Sequence, residues 1–145
     1  MAGKIPKTLI RDIRIRKPVR IKTDTPLVDV VAAMKKGRRG AAIIEDQAGK
    51  LIGIITERDL IARVDHSTTD WQNIPVDEVM IRVPWTIKMG GYLHEAVGVM
   101  VTKKIRHLPV VDADNHVAGI VSIRDIIAHV ASLYPREFLN LPPAP

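Results

Sequence analysis

Two short stretches carry the residues best equipped to do chemistry. Thr56-Glu57-Arg58-Asp59 closes the segment GIITERDL, and Ser122-Ile123-Arg124-Asp125 closes GIVSIRDI. A hydroxyl followed three residues later by a carboxylate has the spacing of a helix capping box. The hydroxyl accepts from the backbone of the acid, and the acid reaches back to the cap. That reading accounts for Thr56 with Asp59 and for Ser122 with Asp125, but not for the arginine between them. A cation in the first turn opposes the helix dipole at a cost of about 0.3–1 kcal/mol. Arg58 and Arg124 nevertheless occupy that turn in both stretches. An anion at the helix start offsets the cost, since a guanidinium and free N–H groups both donate to phosphate. A neighbouring carboxylate is an acceptor for the two hydroxyls of a ribose diol. Capping, and recognition of a ribose with its phosphate, are the two readings of these residues.

The elements that position them are themselves duplicated. Shifting the chain by 66 residues aligns 15–60 with 81–126 without a gap, and thirteen of the 46 positions are identical. Unrelated sequences of ordinary composition share roughly three. Each copy opens with a β-type stretch, Val19–Lys22 or Trp85–Lys88. An amphipathic helix follows, with Leu27, Val30, Val31 and Met34, or Leu93, Ala96, Val97, Met100 and Val101, on its apolar face. Thr25 before Pro26 reads as an N-cap with proline at the first helical position. Two apolar runs separated by DQAGK or DADNH read as hairpins. A last helix begins at Thr56 or Ser122, with Leu60, Ile61 and Val64, or Ile126, Ile127 and Val130, expected to face inward. The fold class expected is α/β (α+β): two β-α-β-β-α units packed about a pseudo-twofold axis. A unit of about 60 residues buries too little surface to be comfortable alone, so the copies must share a core. Residues 1–64 form the first copy with a basic arm, 65–76 a polar linker, 77–134 the second copy, and 135–145 a Pro-rich tail docked by Phe138 and Leu139.

Composition narrows the function. With no cysteine, disulfides, thiolate metal sites and cysteine nucleophiles are excluded. No apolar run approaches a membrane span, and the charged N-terminus lacks a signal segment, so the expectation is a cytoplasmic protein away from membranes. The five histidines show no metal-ligand spacing, and no P-loop, dinucleotide fingerprint or nucleophile elbow is present. The expectation is a protein that is not an enzyme and holds no metal. The net charge of +6 is uneven: residues 1–39 hold twelve Lys or Arg against three acids. Such an arm is a solvated face, or it attracts nucleic acid, an anionic membrane or a phosphorylated small molecule.

The ordered set of the L-x-x-A-x-x-x-M helix, RHLPVVD and GIVSIRD, with its first-copy counterparts, resembles the cystathionine-β-synthase (CBS) domain. Two copies over about residues 9–133 resemble a stand-alone CBS pair, or Bateman module. The resemblance implies clefts between the units that bind AMP, ADP, ATP or S-adenosylmethionine, and association into homodimers. It implies that Asp59 and Asp125 bind ribose and that Thr56 and Ser122 lie near ribose or phosphate. It further implies that Arg58 and Arg124 meet phosphate, and that the strands at Ile21 and Ile87 flank the adenine. Arg106 and His107 match phosphate-holding positions of nucleotide-sensing members, whereas the first copy has Gly40 and Ala41 there. Glu57 adds a negative charge where the second copy has Ile123. One strong and one weak or empty site are therefore expected. Trp85 and Tyr92 either stack on a base or fill the interface. Arg38 and Arg39 of GRRG form a charged turn or a phosphate clamp.

The leading expectation is a regulatory module that binds an adenine nucleotide, most simply AMP, and signals to a client protein. The alternatives are a nucleic-acid-binding protein using the cations between Lys4 and Arg39, Arg11, Arg14 and Arg16 among them, and a dimerising scaffold without a ligand.

Overall fold

The structure is a computed structural model that describes residues 7–136; the expectations that fall on Lys4, Phe138 and Leu139 lie outside the described residues. The first copy runs β1 (Val19–Lys22), α1 (Leu27–Gly37), β2 (Ala41–Glu45), β3 (Leu51–Thr56) and α2 (Glu57–Ala62). After a connection with two short 3₁₀ turns come β4 (Ile81–Arg82), β5 (Ile87–Lys88), α3 (Leu93–Lys103), β6 (His107–Val111), β7 (Val117–Ser122) and α4 (Ile123–Leu133). The mixed α+β architecture is the one expected from the repeat.

Each sheet has a parallel pair, β1 with β2 or β5 with β6, and an antiparallel hairpin, β2 with β3 or β6 with β7. The middle strands β2 and β6 are buried on both faces, which is why AAIIE and LPVV read as continuous apolar runs rather than alternating ones. Ala42 and Ile44 point into the core under α1, while Ile43 meets Val111 and Val117 between the sheets. Ala41, Ile54 and Ile120 continue that shared layer towards the helix starts. At its far end the Arg20 guanidinium donates to the buried carboxylate of Glu45 and, at 2.7 Å, to the carbonyl of Val117.

The outer edge of each sheet is completed by the other copy. β4, which follows the first copy, pairs with β3 through Gly53↔Arg82 and Ile54↔Ile81. Arg16, from the start of the chain, pairs with Ile120 of β7, exchanging N–H···O bonds of 3.1 and 3.0 Å. Preceding residues follow the same crossing: Ile10 and Ile13 enter the core under α3, and Val76, Val79 and Met80 enter the core under α1. The segment joining the copies also packs Trp71 and Ile74 against the first core.

This exchange corrects the reading of Thr25 as an N-cap. Pro26 itself is the N-cap, with extended ψ and no side-chain cap bond, and the Thr25 hydroxyl donates to the Lys22 carbonyl. The first N–H of α1, which has no partner within the helix, is met from the crossing segment instead, Leu27 donating to the Ile74 carbonyl at 2.9 Å. The second copy repeats the contact, with Leu93 donating to Thr8 at 2.8 Å. Three apolar side chains expected to face inward do not: Ile61 is 78% exposed, Ile127 55% and Val101 70%. Ile126 and Val130 are an i, i+4 pair on the inner face of α4, while Leu60 of α2 and Val64 just beyond its C-cap pack into the first core, leaving Ile61 and Ile127 on the outside.

Two glycines record how closely the crossing strands approach. A Cβ on Gly119 would overlap the branched side chain of Ile15 and lie 3.0 Å from the Arg16 carbonyl. A Cβ on Gly53 would lie 2.5 Å from the Met80 sulfur, a flexible neighbour. Gly119→Ala is therefore expected to destabilise the fold by about 1–3 kcal/mol, and by more than Gly53→Ala. Urea denaturation of the two variants checks both the magnitude and the order.

Candidate functional site

Both capping boxes form. Asp59 Oδ2 accepts from the Thr56 N–H and hydroxyl, each at 2.8 Å, while Thr56 Oγ1 accepts from the Asp59 N–H at 3.3 Å. Asp125 Oδ2 takes the same bonds from Ser122 at 3.0 and 2.7 Å. The two carboxylates differ in their second oxygen. Asp125 Oδ1 accepts from Arg16 Nε at 2.7 Å, and that aspartate is only 6% exposed. Among the described residues, no hydrogen bond or ion pair reaches Asp59 Oδ1.

Two cavities flank these helix starts. One, of about 490 Å³, is lined by Thr56, Arg58, Asp59 and the apolar side chains of Ile54, Ile81 and Ile105, with Trp85 at its rim. The other, of about 500 Å³, is lined by Ser122, Arg124, Asp125, Arg16 and the end of α1 at Lys35, Arg38 and Arg39. Gly40, Glu57, Arg106 and His107 line both, so the cavities are two halves of one cleft with a common wall. Either volume suits a small organic ligand. Eight of the ten sequence-singled residues are thus brought together. Ile21 and Ile87 line neither cavity; their side chains lie in the cores under α1 and α3. Trp85 reaches the Asp59 half, whereas Tyr92 lies away from both cavities and stacks on His94.

The arginines in the first turns have separate explanations. Arg58 donates to the Lys104 carbonyl at 3.3 Å, at the C-terminal end of α3, where a cation is favoured. That contact offsets its position at the start of α2 without an anion. Arg124 makes no such bond, and with Lys35, Arg38 and Arg106 it leaves the Asp125 half rich in cations without ion-pair partners among the described residues. The Lys103 ammonium lies 4.5 Å from the Trp85 ring centroid and covers one face of the indole. The sequence reading missed this lysine because its counterpart in the first copy is Gly37, so the repeat gives it no twin. Arg16 was noticed only as one cation of a basic arm, since nothing local indicates that it crosses to the second copy.

Burial lowers the pKa of His107 below its ordinary 6.5 and Arg106 lowers it further, against the opposing pull of Glu57 and Asp125. The common wall therefore carries a neutral imidazole at neutral pH. Burial opposes ionisation of Asp125, but the Ser122 hydroxyl, Arg16 and the Ser122 backbone together hold its carboxyl below the ordinary 3.8. The two groups act on stability in different windows. A histidine with a depressed pKa binds fewer protons folded than unfolded, so stability falls as pH drops through 6.5 towards the folded value. The contribution of Asp125 is present above 3.8 and is lost as pH falls through its lower folded value. Chemical denaturation at a series of pH values is expected to show both declines, and His107→Gln is expected to remove the upper one alone.

Paired β-α-β-β-α units with exchanged edge strands and a two-part cleft between them define the class. The family model of the CBS domain matches residues 10–66 and 76–132, and the chain belongs to that family. The CBS-domain pair of protein MJ0100, solved with 5′-methylthioadenosine and S-adenosyl-L-methionine, superposes with a TM-score of 0.77 at 26% identity, covering 88% of this chain and 99% of that one. CBSX2 in complex with AMP shares the fold, with a TM-score of 0.74 at 20% identity over 88% of this chain and 98% of its own. Among sequence relatives, a 17.7 kDa protein of Acidianus ambivalens is 25% identical over 90% of this chain and 78% of its own length. Inosine-5′-monophosphate dehydrogenase of Mycobacterium tuberculosis is 32% identical over 78% of this chain, but the match spans 20% of the enzyme. A Methanopyrus kandleri relative, 33% identical, is likewise matched over only 51% of its length. No helix among the described residues is long and apolar enough to cross a membrane.

Proposed function

We propose that this CBS pair is a non-catalytic regulatory module that binds an adenosine nucleotide, with AMP as the simplest ligand, and that the Asp59 half of the cleft is its principal site. The observation that carries the reading is the open Oδ1 of Asp59. The capping box uses only one oxygen of that carboxylate, and the other keeps both lone-pair positions for a ribose diol. Ile54, Ile81 and Ile105 offer an apolar slot for a base, and the indole of Trp85 offers its uncovered face. Arg58, Lys104 and Arg106 supply cations for phosphate. The complexes of related pairs with adenosine compounds support the ligand class.

The nucleic-acid reading loses ground for a specific reason. Arg16 and Arg20, central to the basic arm, are engaged by Asp125 and Glu45 and do not form part of a free cationic face. Asp59→Ala is expected to remove charge-assisted hydrogen bonds of about 1.5–3 kcal/mol and so weaken AMP binding roughly ten- to hundredfold. Isothermal titration of the folded variant checks this, and unchanged affinity sinks the assignment.

The same proposal includes a homodimer through α2 and α4. Ile61 and Ile127, equivalent in the repeat, are exposed on these helices together with Leu133 and Tyr134. Ile61→Glu with Ile127→Glu is expected to convert a dimer to a monomer in light scattering without unfolding it. A client protein that reads the ligand-bound state completes the regulatory reading.

A further inference from the structure

The repeat presents one arginine in two settings. Arg16 and Arg82 are equivalent in the repeat, and each lies on a segment that crosses to the opposite sheet, but their registers differ by one residue: Arg16 pairs with Ile120, whereas Arg82 pairs with Gly53 and Ile81 takes the pairing with Ile54, the counterpart of Ile120. Arg16 turns into the cleft and donates through Nε to Asp125 Oδ1 at 2.7 Å. Arg82 turns away and donates to the Asp77 carbonyl at 3.1 Å. A difference in backbone accompanies the two settings. Val83, directly after Arg82, has φ of 48°, a left-handed conformation that a β-branched residue avoids. Lys17, after Arg16, is not among the residues with positive φ.

The consequence is an inequality in acceptor capacity. An ionised carboxylate has about four lone-pair sites. The capping box fills two on Oδ2 of either aspartate. Asp59 then keeps the whole of Oδ1, while Asp125 keeps one position of Oδ1 beside a guanidinium. A ribose diol brings two hydroxyl donors. The Asp125 carboxylate cannot take both unless Arg16 withdraws, and withdrawal leaves a nearly buried carboxylate without its cation. The ion pair is better placed than a surface one to resist this: the Asp125 side chain is 3% exposed, and the Arg16 backbone is held by its two bonds to Ile120.

We propose that Arg16 is a built-in competitor for ribose at Asp125, so that the chain binds one nucleoside at Asp59 and keeps the second half-site closed to nucleosides by its own side chain. This rests on the adenosine reading of the cleft and goes beyond it by naming the residue that sets the number of sites. The closed half remains cationic through Lys35, Arg38, Arg106 and Arg124, so closure excludes the ribose rather than negative charge. The contact also joins site occupancy to the crossing segment. A nucleoside entering at Asp125 must displace a side chain that belongs to the first copy and is seated on the sheet of the second.

The experiment counts AMP sites by isothermal titration on the full chain. Wild type is expected to bind one AMP per chain and Arg16→Met two, since methionine keeps the backbone pairing and a similar length but has no group to donate to Asp125. Arg16→Met combined with Asp125→Asn is expected to return to one, which assigns the new site to Asp125. Arg16→Lys, which restores a cationic donor, and Arg82→Gln, which touches no ion pair, are both expected to stay at one. Thermal melts confirm that each variant is folded, and the lysine variant tests the role of the donor independently of any loss of fold in the methionine variant. Two equal sites in wild type, or a single site in folded Arg16→Met, overturns this proposal while leaving the adenosine reading intact. No AMP binding by wild type or by either Arg16 variant overturns the adenosine reading, and this proposal with it.

Discussion

The crossing of edge strands between the two copies is the constraint on which the rest of this structure depends. A β-α-β-β-α unit leaves one sheet edge open and the first turn of its long helix without acceptors. Each unit here solves both problems with a segment of the other: Arg16 completes the edge at Ile120, β4 completes the edge at Gly53 and Ile54, and the carbonyls of Thr8 and Ile74 meet the starts of α3 and α1. Unpaired strand edges and uncapped helix ends are costly or hazardous, so neither copy is complete alone. The cleft inherits this arrangement. Its Asp59 half is walled by Ile81, Pro84 and Trp85, and its Asp125 half by Arg16, all from crossing or post-crossing segments.

Capping and ligand recognition are alternatives only while a carboxylate is treated as one acceptor. In both helices one oxygen serves the cap and leaves the other aimed elsewhere. The cap fixes the side chain in one rotamer, which lowers the entropy cost of binding a diol later. A capping role and the proposed binding role are therefore compatible in the same residue. The neutral imidazole of His107 suits the common wall as well, because a second fixed cation beside Arg106 would be buried at a cost.

Much of the fold was legible because duplication makes each element testable against its twin. The identical Gly53 and Gly119, Arg58 and Arg124, and Asp59 and Asp125 marked the hairpins and helix starts, and eight of the ten singled-out residues line the cleft. The crossing was not legible, and the reason is instructive. Residues 8–14 and 74–80 share no identity, although Ile10 with Val76 and Ile13 with Val79 keep the same buried positions. Burial preserves apolar character, whereas identity survives where backbone geometry or hydrogen bonding demands one side chain. A segment held only by burial therefore falls outside an alignment counted by identities. Misplacing Ile61 and Ile127 had a related cause: the period shows which residues lie near an apolar face, but only packing shows how wide that face is.

Arg16 and Arg82 show the limit of the opposite inference, from identity to equivalence. They are the same residue at the same repeat position, yet Arg16 pairs with Asp125 while Arg82 donates to the Asp77 carbonyl and lines neither half of the cleft. The side chain alone does not decide between these outcomes. Strand register goes with the difference: Arg16 pairs with Ile120, whereas Arg82 pairs with Gly53, one residue out of step, and is followed by Val83 in a left-handed turn where the first copy has Lys17. A tandem duplication can in this way make its two capping aspartates unequal while the arginine and the aspartate of each copy stay identical. A one-residue difference in strand register accompanies the change, and a buried carboxylate that gains a guanidinium donor keeps one acceptor position fewer for any other donor.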